Sequence, residues 1–364
     1  MIAPDQRLSF TGTGLVTSVG IDVRSSCAAI RAGIAAPSVL RDIQTLDPED
    51  QTPIPLVAHP VKGYTDGFHG LGRWIRLARG AAANLMRSSG IASPPDPQFW
   101  SRAAILAVTR PLDDELFRTE PGQAAERVRR EYLETLRVAL GLRTEVVFEL
   151  VSQGHAGTAM ALQRAADLVA SGMERVLILA VDSWLHPLLL ERLEEADRLK
   201  LDERPSGLMP GEAGASLLVE TERAARERGG LPLAVLCAAA VAREPNPIGS
   251  GRQITGRGLA KAISEALDAD ESNRRFEGDC IVDLNGETWR AVQWGTAQVH
   301  LAGRLASARS HFPASSVGDT GAASGALGIC FAIHLLNRAE RGPRCLVSSS
   351  SEEGGVGCVA LRAP

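Results

Sequence analysis

The chain has 364 residues, 45% of them apolar and 23% charged, a balance that reads as soluble and globular with room for one large domain or two ordinary ones. A formal net charge of −4 excludes a global basic field for nucleic acid or an anionic membrane surface. No apolar run reaches the length of a membrane span.

Met1 to Asp5 lacks the basic and apolar regions of a signal peptide, so a cytoplasmic location is expected. Leu8 to Gly20 reads as a strand, a tight turn at Gly12 and Gly14, and more extended chain. Ser25 to Ala32 fits a short helix stopped by Gly33, and Pro37 to Gly70, rich in Pro, Asp and Gly, reads as surface loop. A helix over Arg73 to Ser88 and a covered strand over Ala103 to Thr109 follow. Glu120 to Leu142 is a charged amphipathic helix, whose Arg127, Arg129 and Arg130 read as a solvated face.

The stretch Val151-Ser-Gln-Gly-His-Ala-Gly-Thr158 stands between a strand over Glu145 to Leu150 and a small-residue helix over Ala159 to Ser171. Such a turn holds His155 at a helix N-terminus, where free N–H groups and the helix dipole favour negative charge. Arg175 to Asp182 is the next strand, and strand, helix and strand at this spacing make a parallel crossover. A Gly-rich turn runs from Leu208 into a buried strand ending at Glu220. A charged helix over Thr221 to Arg228, a strand over Leu233 to Val241, a loop over Glu244 to Gly258 and a helix over Leu259 to Leu267 complete that region. Strand-then-turn recurs at Cys280 to Asn285 and in Val317 to Leu327, and Arg344 to Ser348 returns as Cys358 to Leu361 after a Gly-rich loop. The alternation argues for a layered α/β protein of two comparable halves, 1–222 and 223–364, with side chains converging at the turns around His155, Asn285 and Asp319.

Cys27, Cys237, Cys280, Cys330, Cys345 and Cys358 lack CxxC spacing and do not cluster with histidines, so small reduced thiols are expected, with no metal and no cofactor.

In this order the segments resemble the thiolase superfamily, specifically the β-ketoacyl-ACP synthases. Thr11 to Gly20 resembles their opening strand, His155-Ala-Gly157 their nucleophile turn, and Pro210 to Glu220 their mid-chain segment. Gly318 to Ala326 resembles the second catalytic-histidine motif, and Gly354-Gly355 the C-terminal Gly-rich loop. The resemblance implies a thiolase-like five-layer α-β-α-β-α fold made of two duplicated halves, usually a symmetric dimer in which the strand before the nucleophile turn pairs across the axis.

The family's condensing enzymes attack a thioester with a cysteine and stabilise charge with two further polar groups. Against that pattern, His155 stands at the cysteine position, Asn285 (in Asn285-Gly-Glu-Thr288) at the first histidine and Asp319 at the second, while Glu352-Glu353 replace aromatic and glycine residues of the final loop. Gly157, Glu287, Thr320, Glu353, Gly354 and Gly355 are the accompanying binding candidates; Glu287 and Glu353 read first as exposed loop carboxylates and, with Asp319, would make a pocket acidic.

Three readings follow. In the first, the chain is a non-catalytic thiolase-fold scaffold or partner subunit. It would be a homodimer, or a heterodimer with a paralogous synthase, as chain-length-factor subunits are, with acyl carrier protein as a possible partner; accessory proteins of type VI secretion effectors are similar too. In the second, a His155–Asp319 pair acts as general base in ester or thioester hydrolysis, with Asn285 or helix N-terminal amides binding the oxyanion. In the third, a conventional synthase uses Cys358 or Cys345, which flank the final loop.

Overall fold

The computed structural model of the protein describes residues 7–46, 52–91, 97–142, 146–269, 275–338 and 342–364. Its strands are β1 (Leu8–Val16), β2 (Ser38–Leu46), β3 (Pro53–Ala58), β4 (Ala103–Thr109), β5 (Val147–Ser152), β6 (Arg175–Ser183), β7 (Glu212–Thr221), β8 (Ala234–Arg243), β9 (Asp279–Val282), β10 (Arg309–His311), β11 (Arg344–Ser350) and β12 (Gly355–Arg362).

Ten of these strands form one sheet in the order β10-β9-β11-β12-β8-β1-β7-β6-β4-β5. Read outward from the middle, it is the same pattern twice. β1 pairs antiparallel with β7 and β7 with β6, after which β6, β4 and β5 run parallel. On the other side β8 pairs antiparallel with β12 and β12 with β11, after which β11, β9 and β10 run parallel. The two patterns join in the sheet where β1 meets β8, with Ser9 opposite Val235 and Phe10 opposite Ala234.

Helices cover the two five-stranded parts in layers. Gly70–Ser88 packs on β1, β7 and β6, and Arg257–Ala269 on β8 and β12 with Thr288–His300 beside it. Between the two parts lie the central helices Gly157–Ala170 and Ser324–Leu336, the first touching β4 and β8, the second β7 and β11. This is the α-β-α-β-α arrangement. It explains why β4 is apolar without alternation: Ala104, Leu106 and Val108 face the central core while Ile105 and Ala107 face the outer one. Ser324–Leu336 is apolar on nearly all sides because it is enclosed by both parts; each fully buried Leu, Ile or Phe there contributes about 1.5–3 kcal/mol.

Several expectations need correction. Gly12 and Gly14 make no turn; they lie inside β1. A Cβ on Gly14 would sit 2.0 Å from the carbonyl oxygen of Ala81, so glycine is there to let the outer helix approach the strand. The stretch over Pro37 to Gly70 is not all loop. β2 and β3 pair in a hairpin, and Leu56 packs with Trp184, Leu190 and Leu193; the alternation of Ile54, Leu56 and Ala58 carried that signal beneath the prolines. The helix expected over Glu120 to Leu142 runs from Ala124 to Ala139, with a π-helical turn inside it at Arg129–Leu133. The strand expected from Glu145 begins at Val147, and Glu145 lies outside the described residues. Helix Pro187–Glu195, with Pro187 at its start, has no counterpart in the reading of the sequence.

Candidate functional site

Three turns and one hairpin meet where the two repeated patterns join. After β5 the chain turns at Gly154, whose φ of +60° is the left-handed conformation that suits glycine, into a single 3-10 turn and then the helix Gly157–Ala170. His155 sits in that turn and is 4% exposed. Ser351 fixes the turn: its hydroxyl accepts from the Ala156 N–H at 2.9 Å and donates to the Gln153 carbonyl. Asn285 follows β9, and Asp319 follows Gly318, whose φ is +69°. The backbone of Asp319 is pinned to the segment before β7, its N–H donating to Met209 at 2.8 Å and its carbonyl accepting from Gly211 at 2.9 Å.

The structure brings His155, Asn285 and Asp319 into one hydrogen-bonded group. His155 Nε2 lies 2.9 Å from Asp319 Oδ1. The same oxygen accepts from Trp184 Nε1 at 3.0 Å and from the Gly321 N–H at 2.7 Å, while Oδ2 accepts from Asn285 Nδ2 at 2.6 Å. Asn285 Nδ2 also donates to Glu287 Oε2 at 2.9 Å, and its carbonyl oxygen accepts from the Glu287 N–H at 3.0 Å. The amide is therefore fully committed and cannot also bind an oxyanion, contrary to the role expected of it. The Ala156 N–H is likewise committed, to Ser351.

Around this group lies a shell of charge. Arg198 reaches Glu287 at 2.6 and 3.2 Å and Glu352 at 2.6 and 3.1 Å, clamping two carboxylates with one guanidinium. Arg290 is buried, donates to Asp283 at 2.7 Å and to the Ser350 carbonyl at 2.8 Å, and stacks on Trp289. Burial pushes the Asp319 carboxyl up, but His155, the charge of Arg290 and the Asn285 amide outweigh it and hold the group well below the usual carboxylate range. Glu352 is lowered in the same way, burial being outweighed by Arg198.

The binding candidates separate. Glu287 is buried and clamped, which corrects its reading as an exposed loop carboxylate; the two arginines offset much of the acidity expected here. Thr320 is buried beside a cavity of about 20 Å³, room for one water, which His155, Asn285 and Asp319 also line. Glu353 is exposed at the rim of a larger cleft, and Glu352 is the residue turned inward. Gly354, at φ +89°, and Gly355 shape the hairpin. Gly157 lines neither space: a Cβ there would lie 2.7 Å from Val108 Cγ1, so its role is helix-to-sheet contact. Trp184, Arg198, Arg290 and Ser351 escaped the sequence reading, the first three as single residues in segments without a motif and Ser351 as one of four consecutive serines.

The cleft measures about 410 Å³, reaches His155, and is walled by Leu112, Leu116, Trp184, Leu189 and Leu193, with Arg110, Arg192 and Arg198 among its polar residues. Cysteines line neither space. Burial pushes the thiols of Cys27 and Cys280 up to about 12, and those of Cys330, Cys345 and Cys358 upward as well, so none of the five is poised as a thiolate. Among the described residues no group of three or more His, Cys, Asp or Glu is placed to hold a metal ion, and no helix is long and apolar enough to cross a membrane.

No family model matches the chain. A protein of Streptomyces coelicolor described as polyketide β-ketoacyl synthase 2 is 36% identical over 144 residues, a match spanning 36% of this chain and 33% of that relative. Solved structures match almost end to end. A type II polyketide ketosynthase in complex with its acyl-carrier protein superposes with a TM-score of 0.78 at 15% identity, covering 98% of this chain and 99% of the other. The ishigamide ketosynthase/chain length factor gives 0.77 at 17%, and a β-ketoacyl synthase from Burkholderia phymatum 0.73 at 15%, each with the same coverage. The chain therefore has the thiolase-like fold of the β-ketoacyl synthases.

Proposed function

We propose that this chain is a ketosynthase-fold partner subunit without condensing activity. One observation carries the reading: the residues at the matched catalytic positions are hydrogen-bonded to one another, the Asn285 amide fully committed, with no thiol among them. A condensing site needs a nucleophile that holds the acyl chain and donors that stay open for the developing charge. Here the anionic Asp319 would repel a decarboxylating malonyl group, and the Asn285 amide is already engaged. We take residues 1–222 and 223–364 as the two repeated halves.

The partner is inferred to be a second thiolase-fold chain, a copy or a paralogous synthase, joined along β5. This strand is one of the two end strands of the sheet, and its six residues are all half-buried in the isolated chain. The ishigamide ketosynthase/chain length factor supports the comparison by its name and fold.

The test combines intact-mass measurement after incubation with acyl-CoA and acyl-carrier-protein donors, a malonyl condensation assay, and sedimentation alone and with a synthase. Absence of a stable adduct and of condensation product, together with a defined dimer or a complex with the synthase, supports the reading. A stable acyl adduct that is extended by malonyl donor overturns the first part, and a monomer that ignores the synthase overturns the second.

A further inference from the structure

We propose that the cleft beside His155 is a hydrolytic site for acyl esters or thioesters, with His155 as general base on a water molecule. The inference goes beyond the partner-subunit reading and does not depend on it, since loss of condensation leaves hydrolysis open.

Three observations meet there. First, Asp319 Oδ1 lies 2.9 Å from His155 Nε2, and a carboxylate oxygen accepts only from an N–H, so in the neutral ring the proton is on Nε2 and the lone pair on Nδ1. Among the described residues Nδ1 has no hydrogen-bond partner. The pair thus has the arrangement of an oriented imidazole, with Asp319 as the positioning residue. Second, His155 borders a cleft of about 410 Å³, within the range of small-molecule sites, whose leucine and tryptophan walls suit an apolar acyl body. Third, the same cleft is lined by Arg110, whose Nε donates to Asp182 at 2.6 Å and whose Nη2 donates to the Ser183 carbonyl at 3.3 Å. Its guanidinium stacks over Trp184 at 4.5 Å, and Nη1 makes no hydrogen bond among the described residues. A nearly buried cation with an uncommitted donor is a means of stabilising a carbonyl oxygen as it becomes an oxyanion, the role that Asn285 cannot take.

The reaction balances with water alone. His155 Nδ1 takes one proton as the water oxygen bonds to the acyl carbon, and the carbonyl electrons move to the oxygen. Collapse breaks the C–S or C–O bond, the departing thiolate or alkoxide takes the proton from the imidazolium, and a carboxylic acid and a thiol or alcohol leave. Asp319 steadies the transient imidazolium.

The test uses the full chain with N-acetylcysteamine thioesters and p-nitrophenyl esters of short to medium acyl chains. Steady-state rates are measured across pH for wild type, His155→Gln, Asp319→Asn and Leu112→Trp, each checked for folding by thermal unfolding. The expected result is turnover whose kcat falls 10²–10⁴-fold in His155→Gln, with the acid limb of the pH profile lost. Leu112→Trp, a cleft-filling change away from the pair, is expected to abolish turnover and keeps the proposal testable should the buried variants not fold. Hydrolysis of either class that is lost in His155→Gln or Leu112→Trp supports the site and names its leaving group. Hydrolysis of neither, full turnover in a folded His155→Gln, or full turnover in Leu112→Trp overturns it.

Discussion

Asn285 Nδ2 stands between two buried carboxylates, 2.6 Å from Asp319 Oδ2 and 2.9 Å from Glu287 Oε2. One neutral amide therefore keeps apart two acids that would otherwise repel. The near-isosteric Asn285→Asp exchanges both donors for a third negative charge. It is expected to destabilise the fold by about 2–4 kcal/mol at neutral pH. The loss should shrink as the solution is made acidic enough to protonate one of the three carboxyls. Urea unfolding at pH 7 and pH 4.5 checks this, and an equal loss at both would contradict the argument.

Asp319 accepts from an imidazole, an indole, an amide and a backbone N–H, so Asp319→Ala leaves three buried donors and the half-buried Asn285 amide without an acceptor. The expected cost is about 3–5 kcal/mol. Because the folded-state pKa of Asp319 is depressed, its contribution is fully present above the unfolded carboxylate value of about 3.9. That contribution is lost as pH falls from there toward the folded value. Wild type should therefore lose stability below about pH 4–5 more steeply than Asp319→Asn. Acid titration of unfolding free energy for the two proteins reads the difference in slope directly.

The fold was more legible in the sequence than the site. β4 was read with its observed ends because a strand covered on both faces is a pure apolar run, and the helix Gly157–Ala170 because small residues recur wherever backbones must approach; Val317 to Leu327 holds no strand, since Ala314–Val317 is helical and Ser324 opens the second central helix. Where packing overrides local signals the reading failed. Gly12 and Gly14 looked like a turn because the helix that needs their missing side chains is some seventy residues away. At the site, His155, Asn285 and Asp319 were visible because each sits in a turn before a helix. Trp184 and Arg198 were not, since what they touch lies 135 and 89 residues away along the chain, and no spacing encodes that contact.

Arg198 ties the loop of Glu287 to that of Glu352. Arg198→Met removes the partner of Glu287 and Glu352 and should cost about 3–5 kcal/mol for the buried charges it strands. Arg198→Lys keeps the charge but cannot form the two-pronged contacts to both acids, so it should recover only part of that loss. Denaturant midpoints of the two variants order the effects. A Lys variant as stable as wild type would mean that charge alone, and not the fork, holds the two loops.

The β5 edge offers the last prediction. Its inner side is paired with β4 through Ala104 opposite Val147 to Thr109 opposite Ser152, which among the described residues leaves the outer side without a partner strand. In a parallel ladder adjacent residues direct their N–H groups to opposite sides, so of Leu150 and Val151 one donates toward β4 and the other toward the free edge. Proline at the inward-facing position removes a ladder bond and should destabilise the chain. Proline at the outward-facing position costs the isolated chain little but removes a donor that a partner strand would use. If β5 joins two chains, one of Leu150→Pro and Val151→Pro should fold with a near wild-type melting temperature and sediment as a monomer. A folded proline variant that keeps its dimer at both positions would place the interface elsewhere on the surface.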